Sequence, residues 1–318
     1  MLVVKNLTIK FKTKKGIVTA VRNVSFSVDK GETLGVVGES GCGKSITNMA
    51  IMGLLPPEAI VEADELSFNG KDLKSISDKE WQLLRGDHFG IIFQDPMSAL
   101  NPCFTVEFQL AEVIRKANPG SSVERVRTKA IDLLEKVGIP APKKRLSCYP
   151  HELSGGMAQR VMIAMAIAGN PDVLIADEPT TALDVTIQLQ ILKLLKEIQT
   201  ENNMAILFVT HDLGVVSQIS DRIQVLYAGE IVEEGGIKQV ITSPRHPYTK
   251  GLLNSLPNMS KKQEELFSIK GTVPSLDQRP IGCQFAPRCE KVLEECSKSS
   301  IELKEIDGIR SRCIIIND

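Results

Sequence analysis

Short apolar runs alternate with helical patterns along this chain. Leu34–Val37 is a continuous apolar run, the pattern of a strand buried on both faces, and a glycine-rich turn and a helical stretch over Lys44–Leu54 follow it. Asp87–Phe93 (DHFGIIF), Val173–Ala176 and Ala205–Val209 predict further strands, and Arg222–Tyr227 and Glu230–Glu234 predict two more joined by Ala228-Gly229. Val106–Lys116, Ser122–Val137 and Val185–Glu197 read as helices, and Val161–Ala168, rich in Ala and Met, as a packed helix. Strands alternating with helices imply a mostly parallel sheet covered on both faces, an α/β fold. Leu2–Phe11 and Val18–Val28 read as half-buried antiparallel strands at the N-terminus. Pro119-Gly120 and Pro140–Pro142 punctuate a helical insert before Val173, and from about Pro257 the regular pattern fades.

Composition narrows the class. The 318 residues suggest one large domain plus a smaller piece, or two domains. With 42% apolar and 24% charged residues the chain reads as an ordinary globular protein. Lys+Arg of 38 against Asp+Glu of 39 leaves a net charge of −1, so no bulk electrostatic drive towards nucleic acid exists. No apolar run is long enough to span a bilayer, and Met1–Lys12 lacks the apolar block of a secretory signal. The expectation is an intracellular protein.

Gly38-Glu39-Ser40-Gly41-Cys42-Gly43-Lys44-Ser45 matches G-x-x-x-x-G-K-[ST] between a strand and a helix. Glycines permit a tight turn whose N–H groups point at phosphate oxygens, and the helix presents its positive end to the same anion. Lys44 reaches the β- and γ-phosphates, Ser45 ligates Mg²⁺, and Cys42 reads as a small spacer. Val173–Ala176 then delivers Asp177 to hold Mg²⁺ and Glu178 to orient or deprotonate the water attacking the γ-phosphate. A third segment, Leu153-Ser154-Gly155-Gly156-Met157, combines an N-cap serine with glycines that allow close backbone approach.

With these segments in place the chain resembles the ATP-binding subunit of ABC transporters, and specifically the peptide/opine/nickel importer group. The phosphate loop, Phe93-Gln94-Asp95-Pro96, Leu153–Met157, Ala176-Asp177-Glu178-Pro179, Ala182-Leu183-Asp184 and Thr210-His211-Asp212 occur in that family's order and spacing. Gln94–Pro102 (QDPMSALNP) and Gln159–Ala166 (QRVMIAMA) resemble peptide-importer subunits in particular, and His246-Pro247-Tyr248-Thr249 and Gly282–Cys289 carry the likeness into the tail. The resemblance implies a P-loop ATPase with an N-terminal antiparallel β-subdomain. The ATPase domain would span 1–255, with a helical subdomain at about 95–170, and a cysteine-bearing extension 256–318. ATP would lie between the loop Gly38, Ser40, Gly41, Cys42, Gly43, Lys44, Ser45 of one subunit and Ser154, Gly155 and Gly156 of another. Gln94 would sense the γ-phosphate and Mg²⁺, His211 would hydrogen-bond the γ-phosphate, Asp184 would sit in a loop crossing to the partner, and Phe11 would stack on adenine. Met157 and Ala158 stand where the general signature has Gln and close relatives tend to have Arg; neither side chain contacts phosphate in the family, so the site reads as competent.

Cys283, Cys289, Cys296 and Cys313 fall within the last stretch of chain with spacings unlike a zinc ribbon. Spacing alone leaves a [4Fe–4S] cluster, a zinc ion, two disulfides or free thiols open. The resemblance of Gly282–Cys289 to peptide-importer extensions, some of which hold a [4Fe–4S] cluster, favours the cluster.

The implied partners are two transmembrane permease subunits, a second, similar ATP-binding subunit forming a heterodimer, and, indirectly, an extracytoplasmic solute-binding protein; no nucleic acid is implied. The location implied is peripheral, on the cytoplasmic face of the inner membrane. Three alternatives stand beside peptide import. One is the same role for nickel or another small solute. Another is a soluble ABC ATPase of DNA repair or ribosomes, disfavoured because the insert lacks sustained heptads. The last is a non-hydrolysing regulatory subunit, which Glu178 argues against.

Overall fold

The computed structural model describes residues 1–14, 16–181, 183–256 and 268–315. Ala182 and the parts of the extension at 257–267 and 316–318 lie outside the described residues. In chain order the elements are β1 (Leu2–Thr13), β2 (Gly16–Val28), β3 (Thr33–Val37), α1 (Lys44–Ile51), β4 (Ala59–Glu62), β5 (Glu65–Phe68), β6 (Lys71–Asp72), α2 (Asp78–Asp87), β7 (Phe89–Ile92), α3 (Pro96–Ala99), α4 (Val106–Ala117), α5 (Val123–Lys136) and α6 (Pro142–Arg145). There follow α7 (Gly155–Ile167), β8 (Val173–Asp177), α8 (Val185–Asn202), β9 (Ala205–Thr210), α9 (Leu213–Ile219), β10 (Arg222–Tyr227), β11 (Glu230–Gly236), α10 (Ile237–Thr242), α11 (Pro247–Asn254), β12 (Lys304–Ile306) and β13 (Ile309–Ser311). The chain forms two compact units, one of residues 1–28, 33–74 and 208–318, the other of 29–32 and 75–207; the division falls within β9.

In the first unit, β1 pairs antiparallel with β2, as the N-terminal alternation predicts, and also with β4 and β5, which the sequence reading did not name. Leu2 and Val4 are buried, then Leu7 and Ile9, so the inward phase shifts once. The register shifts at the same place, and Asn6 there has φ +51°. A bulge of this kind restores the alternation to the buried face.

β3 is buried at every position, as a two-sided strand must be. It pairs parallel with β10, in register from Leu34–Arg222 to Val37–Val225. β10 returns as β11 through Ala228 (φ +45°) and Gly229 (φ +84°), a two-residue turn whose backbone twist suits a hairpin. The chain after 257, which carries no regular sequence pattern, nevertheless adds to this sheet. β13 pairs with β11, and β12 with β13 around Asp307 (φ +53°) and Gly308 (φ +76°). The sheet is therefore mixed: its parallel strands are those of the alternating pattern, and the antiparallel ones come from two tight hairpins.

In the second unit β7 and β8 run parallel. α7 buries Ala158, Val161, Met162, Ile163, Ala164 and Ile167, which explains its Ala- and Met-rich sequence. Helix α2 carries a capping box, in which Ser77 accepts from the Glu80 N–H while the Glu80 side chain accepts from the Ser77 N–H. Asp87 is its last residue, so the predicted strand Asp87–Phe93 shrinks to Phe89–Ile92. The helix predicted over Lys44–Leu54 ends at Ile51, ahead of Gly53 in the left-handed region (φ +59°).

Candidate nucleotide site

The phosphate loop lies between β3 and α1 in the first unit. Gly38 is packed so closely that an added Cβ would stand 2.1 Å from the Leu226 carbonyl oxygen and 2.8 Å from the Cys42 sulfur. Gly43 has φ +108°, a conformation that a side chain would strain. These glycines are dictated by backbone crowding and by φ.

α1 begins at Lys44 without any side-chain cap on its N-terminus. By contrast, α2, α4, α5, α7 and α8 each have a Ser, Thr or Asp cap. First-turn N–H groups that are left to a ligand are the usual anion-binding arrangement. Lys44 is buried, its Nζ donating to the Gly38 oxygen at 2.6 Å and the Glu39 oxygen at 3.0 Å. Ser45 is half-buried in the first turn, and Ser40 and Gly41 are exposed at the loop's mouth. Burial pushes the Cys42 thiol up, which suits the inert spacer expected from sequence.

Two other expected residues belong to this unit. Phe11 is half-buried in β1, paired with Val18 and Ala59. His211 is exposed directly after β9, and the following Asp212 caps α9.

The second unit holds the acidic pair. Asp177 is the buried last residue of β8, and Glu178 follows, also buried. Glu178 has φ +50°, an unusual backbone for a non-glycine residue. Its carboxylate accepts from Gln94 Nε2 at 3.1 Å and from the Thr181 hydroxyl at 2.9 Å. Strand register explains the first contact: Ile92 pairs with Ala176, so Gln94 and Glu178 each lie two residues beyond the paired ends of parallel neighbours. Sequence reasoning named Gln94 and Glu178 separately but missed Thr181; a hydroxyl three residues after the acid was the available signal.

The same unit contains a cavity of about 500 Å³ lined by Ser154, Gly155, Gly156, Asp184 and Ile187 among others. Ser154 caps α7 by accepting from the Met157 N–H, and Asp184 caps α8 by accepting from the Ile187 N–H at 2.9 Å. Two helix N-termini therefore open onto one cavity, and Ser154, Gly155 and Asp184 are exposed there.

None of the seven cysteines, four of them in the extension, forms a disulfide. Cys296 and Cys313 are buried, Cys283 and Cys289 half-buried. The Cys283 N–H donates to the Cys296 oxygen at 2.7 Å. Burial first, and then the nearness of Cys296, Cys289 and Cys313, pushes the Cys283 thiol up to about 11. Among the described residues, however, no three His, Cys, Asp or Glu side chains form a group that could hold a metal ion. The four thiols suit an iron–sulfur cluster in kind, without forming a ready-made ligand set.

A family model described as "ABC transporter" matches residues 21–181, about half of the chain. The "Dipeptide transport ATP-binding protein DppD" of Escherichia coli (strain K12) is 49% identical over 314 residues, 98% of this chain and 96% of that protein. This chain belongs to the ABC transporter ATP-binding family. A second model, "Oligopeptide/dipeptide transporter, C-terminal region", matches residues 232–296. The "Oligopeptide transport ATP-binding protein OppD" of Bacillus subtilis (strain 168) is 54% identical over 290 residues, 91% of this chain and 81% of that protein. Among solved structures, a dimeric post-hydrolysis state of the ATP-binding cassette MJ0796, bound to ADP and Pi, is 31% identical with a TM-score of 0.66, covering 74% of this chain and 99% of that one. The fold is that of an ABC-type ATPase. No helix of the described residues is long and apolar enough to cross a membrane.

Proposed function

We propose that this chain is the ATP-hydrolysing subunit of an importer of di- and oligopeptides. It would work at the cytoplasmic face of the membrane, beside two permease subunits and a second, similar ATPase, with a solute-binding protein supplying the peptide. The names of the relatives and the match over residues 232–296 support the peptide reading. Residues 1–255 would form the ATPase domain and 256–318 the extension.

In this reading the loop from Gly38 to Ser45 wraps the phosphates, and Lys44 exchanges its contacts with its own loop's carbonyls for the β- and γ-phosphates. Ser45, Asp177 and Gln94 would hold Mg²⁺, which when bound would supply charge neutralisation at the phosphates. Glu178 orients the attacking water and takes its proton, with Gln94 and Thr181 fixing its carboxylate. His211 donates to the γ-phosphate, Phe11 stacks on adenine, and Ser154, Gly155, Gly156 and Asp184 receive the nucleotide of a facing subunit. ATP at such a joint favours the closed pair and hydrolysis releases it, which couples chemistry to motion.

The observation that carries the hydrolytic part is Glu178 itself, held beyond β8 in left-handed backbone with two donors on its carboxylate. The test is ATPase activity of the assembled importer, stimulated by its binding protein loaded with peptide. Stimulation by nickel-loaded protein instead would move the substrate to the alternative class.

Cys283, Cys289, Cys296 and Cys313 would hold the [4Fe–4S] cluster, whose role in this reading is structural or regulatory. That all four are free cysteines in one extension supports it. Iron and acid-labile sulfide in the purified chain, lost on Cys296→Ser, test it.

A further inference from the structure

The side chain of Arg288 carries the cysteine-bearing extension to the phosphate loop. Arg288 lies in a short 3₁₀ turn, Ala286–Arg288, immediately before Cys289. Its side chain is only 5% exposed, although it is charged. Its Nη1 donates to both carboxylate oxygens of Glu39 at 3.0 Å and to the Tyr227 hydroxyl at 3.3 Å. Its Nε donates to the Lys270 carbonyl at 2.9 Å and its Nη2 to the Ile269 carbonyl at 3.2 Å. The guanidinium also lies over the Tyr227 ring, 5.7 Å from the centroid.

Glu39 is the second residue of the phosphate loop, and it is gripped at three points. Arg288 holds its carboxylate, the Tyr248 hydroxyl accepts from its N–H at 2.9 Å, and its carbonyl accepts from Lys44 Nζ. Tyr248, Tyr227 and Phe285 form a buried aromatic cluster with centroids 4.6 to 5.3 Å apart. A buried guanidinium with this many acceptors is fixed in place, and the removal of one partner leaves the other's charge uncompensated.

We infer that Arg288 is a positioning residue for ATP: through Glu39 it sets the entry to the phosphate loop, so that the cysteine-bearing turn helps determine nucleotide affinity. The inference rests on the reading of Gly38–Ser45 as the ATP phosphate site.

The test titrates the full chain with a fluorescent ATP analogue in the parent, Arg288→Met, Glu39→Ala and the double variant. Arg288→Met and Glu39→Ala each raise Kd roughly tenfold, as loss of a charge-assisted hydrogen bond does. The double variant binds no more weakly than either single one, because both act through the same contact. Arg288→Lys, which keeps the charge but not the fork, recovers part of the affinity, and in the assembled ATPase KM for ATP rises more than kcat falls. Additive losses in the double variant, or an Arg288→Met chain that melts lower yet binds ATP as the parent does, overturn the inference. If Arg288→Met does not fold, Glu39→Gln decides: an unchanged Kd overturns the inference and a raised one supports it. Lys44→Ala run alongside separates the two layers. If it binds ATP normally, the site reading itself fails; if it loses ATP while the Arg288 cycle is flat, only the role of Arg288 falls.

Discussion

The phosphate loop and the Ser154 turn are both glycine-containing helix starts, yet they are built in opposite ways. At the phosphate loop α1 has no side-chain cap, Lys44 is buried, and Glu39 is pinned by Arg288 and Tyr248. At the Ser154 turn α7 is capped by its own serine, and Ser154 and Gly155 are exposed beside an open cavity. The first is preorganised by the chain that owns it. The second is satisfied within its own chain and presents a surface. The contrast fits the proposed division of labour, in which one would carry affinity for nucleotide and the other the response to a nucleotide held elsewhere.

The largest expected effect lies at the acid that serves neither start directly. Glu178→Gln should lower turnover of the assembled ATPase by about 10²–10⁴-fold, the usual worth of a general base, while ATP binding persists and paired subunits accumulate. Steady-state phosphate release and size-exclusion chromatography with ATP check both parts. Next, Lys44→Ala should weaken ATP binding by the single chain at least tenfold, read by nucleotide titration. Gly156→Asp should leave that binding intact and lower turnover of the assembly at least tenfold, since it places a carboxylate at a cavity proposed to receive phosphate. If both variants damaged binding in the single chain alike, the division of labour would be wrong.

Stability tests follow. Gly38→Ala forces a methyl against the Leu226 carbonyl and should cost about 2 kcal/mol in denaturant unfolding, the scale of overpacking in a tight core. An effect of similar size, confined to low pH, concerns His246, which supports the phosphate loop through α11: its Nδ1 accepts from the Tyr248 N–H at 3.1 Å. Burial, then Arg312 and Lys250, lowers its proton affinity to about 3. The folded imidazole therefore stays neutral while the unfolded one takes up a proton below about pH 6.5, so stability falls as pH drops through that window. From pH 7 to 5 the parent should lose roughly 2 kcal/mol more than His246→Asn, which keeps a capping acceptor without the titration.

Legibility in the sequence followed locality. The apolar run of β3 and the loop after it were readable because a two-sided strand and a glycine turn leave contiguous signatures. Helix α2 was missed because its sequence, DKEWQLLRGD, is polar, although Ser77 and Glu80 spelled a capping box. The β12–β13 hairpin was missed because its strands are three residues each, although Asp307-Gly308 is a hairpin-turn pair. Gln94, Glu178, Lys44 and Ser154 were named from contiguous motifs. The grip of Arg288 on Glu39 joins residues 249 apart and has no local signature.

The central claim is that nucleotide bound at one subunit's phosphate loop is completed by the Ser154 turn of its neighbour. Its most direct measurement is the structure of the assembled Glu178→Gln complex with ATP and Mg²⁺. The account predicts Ser154 and the Gly156 N–H within hydrogen-bond distance of the γ-phosphate held by the facing subunit. A closed, ATP-loaded complex in which the Ser154 turn faces solvent would contradict it.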